Sequence, residues 1–562
     1  MGVETSQLEI PPSTSLFINE QPALTPRRLR IVCVGAGYSG LTLAHKIKYQ
    51  YSDLPIDFVI YEKNDEVGGT WLKNQYPGVA CDIPAHCYTF SFEPNPDWSR
   101  FFVSGAELLA YIKRTVKKYR LDEEIIFNTR VRETIWNESL GKWEIEVDRG
   151  GRWITDTADI LVNASGIHNR WEWPDIPGLS EFRGKIMHTA AWDKSYNLKG
   201  KKVAVIGNGS SAIQLVTAIQ PQVSRLVSYA RHPTWISVNL CPELTDNGKN
   251  FAYTQEQKLL LRNNPEKMLE LRKDLENSVN RIYWAMIRGS PANKGLAAFI
   301  RQNMAIRLKN DPHLAAYITP AFNPGCRRLT PGDGYLEALQ ARNVTSIWDP
   351  IISISEEGIK TANDEEDFDL IICATGFDDS NVPGWRMVGK NGWEQTKENY
   401  NNEAFLGLNV EHLPNYFILG GPNFPTSVGN AMSAYTFASD YIMRWTKKMA
   451  TEDIKSFVVK KESVDDYNEY SQELLKRTVW SDRCDAWFRD GQEDGKVTAI
   501  YAGSSCHYKD MLENVGSEHF DWTWRSKNRF RFMGNGESIR DEGGRGDLAY
   551  YMREARFGGP GT

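Results

Sequence analysis

Three features of the sequence predict an α/β protein built from two Rossmann-like dinucleotide-binding domains with a helical insertion. Two glycine-rich turns, Gly35-Ala-Gly37-Tyr38-Ser39-Gly40 and Gly207-Asn-Gly209-Ser210-Ser211-Ala212, each follow a short apolar run and precede a helix-like one. Two later apolar runs close on matching small-residue turns, Ala164-Ser-Gly166 and Ala374-Thr-Gly376. Between about Glu243 and Leu314 the pattern is helical instead, with amphipathic runs that open on capping-type residues, as in Thr254-Gln-Glu-Gln.

The first turn follows the strand-like Arg30-Ile-Val-Cys-Val34, and a helix-like run starts at Ser39. Strand, glycine turn and helix together form a phosphate-binding context. Gly35 permits the tight turn, Gly37 lets a pyrophosphate approach the backbone, and Gly40 lets the helix pack against the strand. The N–H groups at the helix start then face the phosphates. The next strand, Asp57-Phe-Val-Ile-Tyr61, ends at Glu62, with Lys63 beside it. A carboxylate there accepts ribose hydroxyls and repels a 2′-phosphate, which points to FAD or NAD.

The second turn has the same context, with Lys202-Val-Ala-Val-Ile206 before it. Its following strand, Arg225-Leu-Val-Ser-Tyr-Ala230, ends at Arg231 and His232. The charge here is opposite to that of Glu62, and a guanidinium holds a 2′-phosphate by paired charge-assisted bonds. NADPH is therefore the expected second cofactor.

The chain has 562 residues, room for roughly three or four domain-sized units. A formal charge of −6 and the absence of a basic run argue against nucleic acid as a partner. The eight cysteines are scattered with no Cys-x-x-Cys, so neither a metal site nor a dithiol redox pair is expected. Reduced thiols and a cytoplasmic location follow as expectations. No apolar run reaches membrane-spanning length. Met1-Gly2-Val-Glu-Thr-Ser6 fits an N-myristoylation pattern, but a single acyl chain without a polybasic patch anchors weakly, so membrane association is not expected.

The expected organisation is a flexible N-terminal arm over 1–28 and an FAD-binding domain over 29–170 and 377–562. An NADPH-binding domain spans 181–240 and 326–376, with the helical insertion at 241–325. A helix starting near Ser427, after Gly420-Gly-Pro-Asn-Phe-Pro425, is expected to point its N-terminus at the flavin. From about 451 the pattern is mixed helix and loop.

Between the two glycine turns lies Phe182-x-Gly184-xxx-His188-xxx-Trp192-Asp193. It resembles the fingerprint of Baeyer–Villiger monooxygenases, flavoproteins that insert oxygen beside a ketone. Gly68-Gly69-Thr70-Trp71, Tyr76-Pro77-Gly78 and Asp82 match a second segment of that family. The resemblance runs from about residue 29 through most of the chain, and Cys326 to Tyr335 resembles fungal members of natural-product pathways. It implies that Gly69, Thr70, Trp71, Tyr76 and Asp82 bind cofactor, and that Arg328 is the active-site arginine, held by Asp82. Arg327 and Trp487 are implied to face the nicotinamide nucleotide. The motif from Phe182 to Asp193 is implied to be conformational.

The implied reaction uses FAD, NADPH and O2, by way of a C4a-peroxyflavin, to turn a ketone into an ester or lactone. Arg328 would stabilise the anionic oxygen. Two alternatives stand beside it: an N- or S-oxygenating flavin monooxygenase, and a non-catalytic FAD/NADPH redox sensor.

Overall fold

A computed structural model describes residues 18–309, 311–489 and 494–552. Gly2 and its acylation pattern lie outside the described residues.

Two all-parallel five-stranded sheets form the frame. In the first the order is Tyr416–Ile418, Ile160–Asn163, Leu29–Val34, Ile56–Tyr61, Ile125–Ile126. In the second it is Val344–Ile347, Arg225–Tyr229, Lys202–Ile206, Leu370–Cys373, Lys185–His188. Their strands read as continuous apolar runs because parallel sheets are covered on both faces. Ile160–Asn163 and Leu370–Cys373 are buried along their whole length. The strand Tyr416–Ile418 joins the first sheet only after the second is complete, so the chain leaves the first unit and returns to it.

A four-stranded sheet, Arg386–Val388 with Thr129–Asn137, Lys142–Arg149 and Arg152–Ala158, packs on the first unit. Trp143 anchors it, fully buried, with its indole N–H donating to the Pro414 carbonyl at 2.8 Å. The helical stretch resolves into Gln255–Asn263, Pro265–Met286, Pro291–Arg307 and Pro312–Ile318. Each starts on a side-chain cap, from Thr254, Asn264, Ser290 and Asp311, and three have proline in the first turn, where its missing N–H costs nothing.

Three local expectations change. The described part of the N-terminal arm is docked: Ala23 bridges to Ser538, and Arg27 pairs with Asp159 at 3.2 Å and donates to the Ile454 carbonyl. The helix expected near Ser427 begins at Ala431, capped by Asn430, because Gly429 takes a positive φ that ends the preceding loop. The region after 451 holds an antiparallel pair, Ile454–Val459 with Phe520–Trp524, clamped by Trp445 against Phe520 and Trp522. The partner strand is far away in sequence, so no local pattern announces it.

Candidate functional site

The two glycine turns share one backbone geometry. Gly35 has φ +109°, and a Cβ there would lie 2.7 Å from the Ala164 carbonyl oxygen. Gly207 has φ +115°, and its Cβ would lie 2.4 Å from the Ala374 oxygen. Each turn therefore abuts the small-residue turn of the neighbouring strand, and only glycine fits. At Gly40 a Cβ would come within 2.2 Å of the Gly35 oxygen. The helices Tyr38–Gln50 and Ser210–Ile219 both start without a side-chain cap, which leaves their first N–H groups free for an anion.

Beside the first turn lies a cavity of about 1180 Å³ including its open mouth. Gly35, Gly37, Tyr38, Ser39, Glu62, Lys63, Gly69, Thr70 and Trp71 all line it. Glu62 is buried at the end of its strand, accepting from the Ala36 N–H at 2.8 Å and from the Asn64 backbone at 2.8 Å. Its remaining lone pairs are available to hydroxyls. Lys63 and Arg130 supply positive charge, and burial lowers the Lys63 pKa, with Arg130 adding to the effect. Backbone donors, a carboxylate, cations and the aromatic wall of Trp71, Tyr88 and Tyr435 fit a flavin dinucleotide.

Beside the second turn, Ala212 is buried in the core, while Ser210 bonds Thr330 at 2.8 Å. A Cβ on Gly209 would meet nothing within 4 Å, so space for a phosphate remains there. Arg231 is exposed, and His232 pairs with Asp485 at 3.0 Å. Arg327 donates to the Pro233 carbonyl at 3.2 Å. Burial lowers its pKa, Asp485 opposes that shift, and Arg231 adds to it. This cluster fits a 2′-phosphate.

Arg328 and Asp82, 246 positions apart, meet at 2.6 Å. The Asp82 charge raises the pKa of Arg328, whose side chain is 41% exposed. Arg328 also acts electrostatically on Tyr88 and His168, both in the cavity wall. His168 opens into the cavity, yet surrounding protein holds its imidazole down to about 4, with Arg328 contributing. Its ring stands 5.5 Å from that of Trp487.

The motif between the turns is a packing device at the edge of the second sheet. A Cβ on Gly184 would lie 2.5 Å from the Phe182 ring, which explains their spacing. His188 is fully buried, stacks on Trp171 at 4.5 Å, and accepts the Ala190 N–H through Nδ1. Burial lowers its pKa to about 4, so the ring is neutral. Trp192 packs against the core of the second unit. Asp193 pairs with Lys185 at 2.8 Å and accepts from Ser195, and these bonds hold its pKa down to about 2.

Tyr76 does not line the cavity beside the first turn: its buried hydroxyl donates to the Gln214 side chain at 2.9 Å, and a Cβ on neighbouring Gly78 would lie 2.6 Å from the Gln214 backbone oxygen. This segment seals the two units together. The thiols are not all reduced, because Cys326 and Cys484 form a disulfide with Cα atoms 6.3 Å apart. The sequence signal was present but indirect: one cysteine precedes Arg327 and the other lies just before Trp487. The sequence also gave no notice of Arg130, His168, Met432 and Tyr435 in the cavity wall. Nor did it mark Glu276 of the insertion, which accepts from Ser433 at 2.6 Å and from Asn430 at 3.1 Å at the start of the helix Ala431–Thr451. Among the described residues there is no cluster suited to a metal ion, and no helix is long and apolar enough to cross a membrane.

Comparison with known proteins gives the family. Residues 28–287 match the family model of flavin-binding monooxygenase-like proteins. The chain is 48% identical over 540 residues to the FAD-binding monooxygenase tazF of Aspergillus terreus, covering 94% of this chain and 96% of that one. It is 34% identical to a Baeyer–Villiger monooxygenase of Pseudomonas aeruginosa, over 91% of this chain and 94% of the relative. Cyclohexanone monooxygenase from Rhodococcus sp. Phi1, solved bound to NADP+, superposes with a TM-score of 0.76 at 25% identity, over 89% of this chain and all of that one. With its paired nucleotide turns and its sequence shared almost end to end, the chain belongs to the Baeyer–Villiger monooxygenase family.

Proposed function

We propose that this protein is an FAD- and NADPH-dependent monooxygenase that converts a ketone into an ester or lactone with O2, and that Arg328 and Asp82 are its working pair. FAD, once bound, would accept hydride from NADPH and pass its electrons to O2, the source of the inserted oxygen atom. The residues around it bind, orient and keep charge in place. Glu62 receives ribose hydroxyls, and the free N–H groups at Tyr38 and Ser39 meet the pyrophosphate. Arg231, His232 and Arg327 take the 2′-phosphate of NADPH.

Arg328 carries a permanent charge whose developing partner is the anionic oxygen formed when the ketone is attacked. Asp82 uses one end of the guanidinium, which leaves other N–H donors directed elsewhere. The observation that carries this reading is the 2.6 Å pairing of Arg328 with Asp82 across 246 positions of sequence. Trp487 closes the nicotinamide side. A cytoplasmic location and a role in secondary metabolism belong to the same proposal, the latter resting on similarity to a fungal enzyme.

The test is Arg328→Ala, assayed against a panel of cyclic and aromatic ketones by product mass. Gain of one oxygen atom should disappear while anaerobic bleaching of the flavin by NADPH persists. Full oxygenation by the variant would remove Arg328 from the site.

A further inference from the structure

We propose that the Cys326–Cys484 disulfide is a positioning cross-link of the oxygenation site, tying the segment that carries Trp487 to the one that carries Arg327 and Arg328. The inference rests on the roles proposed above for those three residues and adds one for the bond between their segments.

The bond joins positions 158 apart in sequence, and both cysteines are buried. One and two residues after Cys326 come Arg327 and Arg328, and Trp487 lies three residues after Cys484. The bond is therefore the shortest covalent route between the guanidinium pair and the tryptophan. Around it lie Met286, Val479 and Phe488 in one apolar cluster. Gly325, with φ +98°, leads the chain into the bond, and a Cβ there would lie 2.4 Å from the Met286 sulfur.

The other ties on the Trp487 segment are non-covalent, and they include the Thr498 N–H donating to the carbonyl of buried Phe488 at 3.0 Å. Asp482 pairs with Arg288 at 2.7 Å and accepts from Asn323 at 2.6 Å. Asp485 pairs with His232 at 3.0 Å. The Arg288 and His232 side chains are 43% and 42% exposed, and ion pairs open to solvent restrain a loop weakly. The Asp485 pair also occupies the 2′-phosphate cluster, so NADPH competes for its partner. Once that pair is displaced, the disulfide remains as the covalent restraint on where Trp487 stands relative to Arg327. Opening it enlarges the set of positions that the segment samples, and apparent affinity falls with the fraction of chains in the competent one.

Formation of the bond is balanced by thiol–disulfide exchange. Cys326 and Cys484 each give up one hydrogen, and glutathione disulfide accepts the two electrons and two protons and leaves as two glutathione thiols.

The test uses the full FAD-loaded chain in three forms: oxidised with glutathione disulfide, treated with dithiothreitol, and carrying C326S together with C484S. Iodoacetamide labelling and intact mass report the bond, with exposed Cys506 labelled in every form. NADPH is then mixed with each form without oxygen, and flavin bleaching is followed. The expected result is equal FAD content and a maximal bleaching rate unchanged within about twofold, with half-saturating NADPH raised about tenfold in the two open forms. Glutathione disulfide should reverse the effect in the reduced wild-type chain and not in the double variant. A lower melting temperature with unchanged half-saturation would make the bond a stabiliser only and overturn the proposal. Thiols that stay open after glutathione disulfide would overturn it as well. Absence of bleaching in every form would remove the function reading and this inference together, whereas identical bleaching in all three removes the inference alone.

Discussion

The first glycine turn offers a perturbation whose size follows from the coordinates. In Gly40→Ala the new Cβ would sit 2.2 Å from the Gly35 oxygen and 3.4 Å from the Cys33 sulfur. The obstacle is backbone, so the helix must retreat from the turn by about 1 Å to reach an ordinary contact. Alanine in a helix gains roughly 0.5–1 kcal/mol over glycine, while forced overpacking costs about 1–3 kcal/mol. The net loss is about 0–2.5 kcal/mol, or a fall in Tm of at most roughly 10 °C for a unit of this size.

The larger effect falls on the cofactor, because the N–H groups of Tyr38 and Ser39 move with the helix. Gly40→Ala should purify with little flavin, read by absorbance against protein. Gly209→Ala is the contrast, since its Cβ meets nothing within 4 Å. It should keep FAD and stay within about 0.5 kcal/mol of the parent, but fill the space through which a pyrophosphate approaches. A Gly40→Ala chain with full flavin and an unchanged Tm would refute the steric reasoning.

Asp82→Asn keeps the shape of the Arg328 contact and removes its charge; ketone turnover should fall by roughly tenfold, matching about 1.4 kcal/mol of lost orientation, with half-saturating NADPH in anaerobic flavin bleaching unchanged. Arg231→Ala and Arg327→Ala should each weaken NADPH by roughly 10–100-fold, the worth of one charge-assisted bond, and leave NADH unaffected; equal losses for both nucleotides would contradict the 2′-phosphate assignment. Burial takes His45, His86 and His188 from 6.5 to about 4. The folded state thus favours the neutral rings, and their contribution is complete above pH 6.5 and lost as pH falls towards 4. Urea midpoints should drop across that window, and less steeply in His188→Gln; a flat profile would show that these rings are not buried neutral.

Much of the frame was legible in the sequence because its causes are local. Positive φ at Gly35 and Gly207, apolar runs for strands buried on both faces, and caps such as Thr254 and Ser290 are properties of a few consecutive residues. The opposite charges at Glu62 and Arg231 were readable for the same reason, since each follows directly on a strand end. Contacts between distant segments were not. Tyr76 on Gln214, the strand Phe520–Trp524 on Ile454–Val459, and Glu276 on Ser433 each depend on a partner whose location the local pattern does not encode.

The sequence by itself therefore determined two nucleotide-type turns and the residues at their strand ends, because backbone sterics and hydrogen bonding act over a few residues. Only the tertiary structure decided that Arg328 meets Asp82, that His168 faces Trp487, and that Cys326 bonds Cys484. Those pairings arise when two separately wound sheets and the segments between them pack together, and the geometry of that packing is a property of the whole chain.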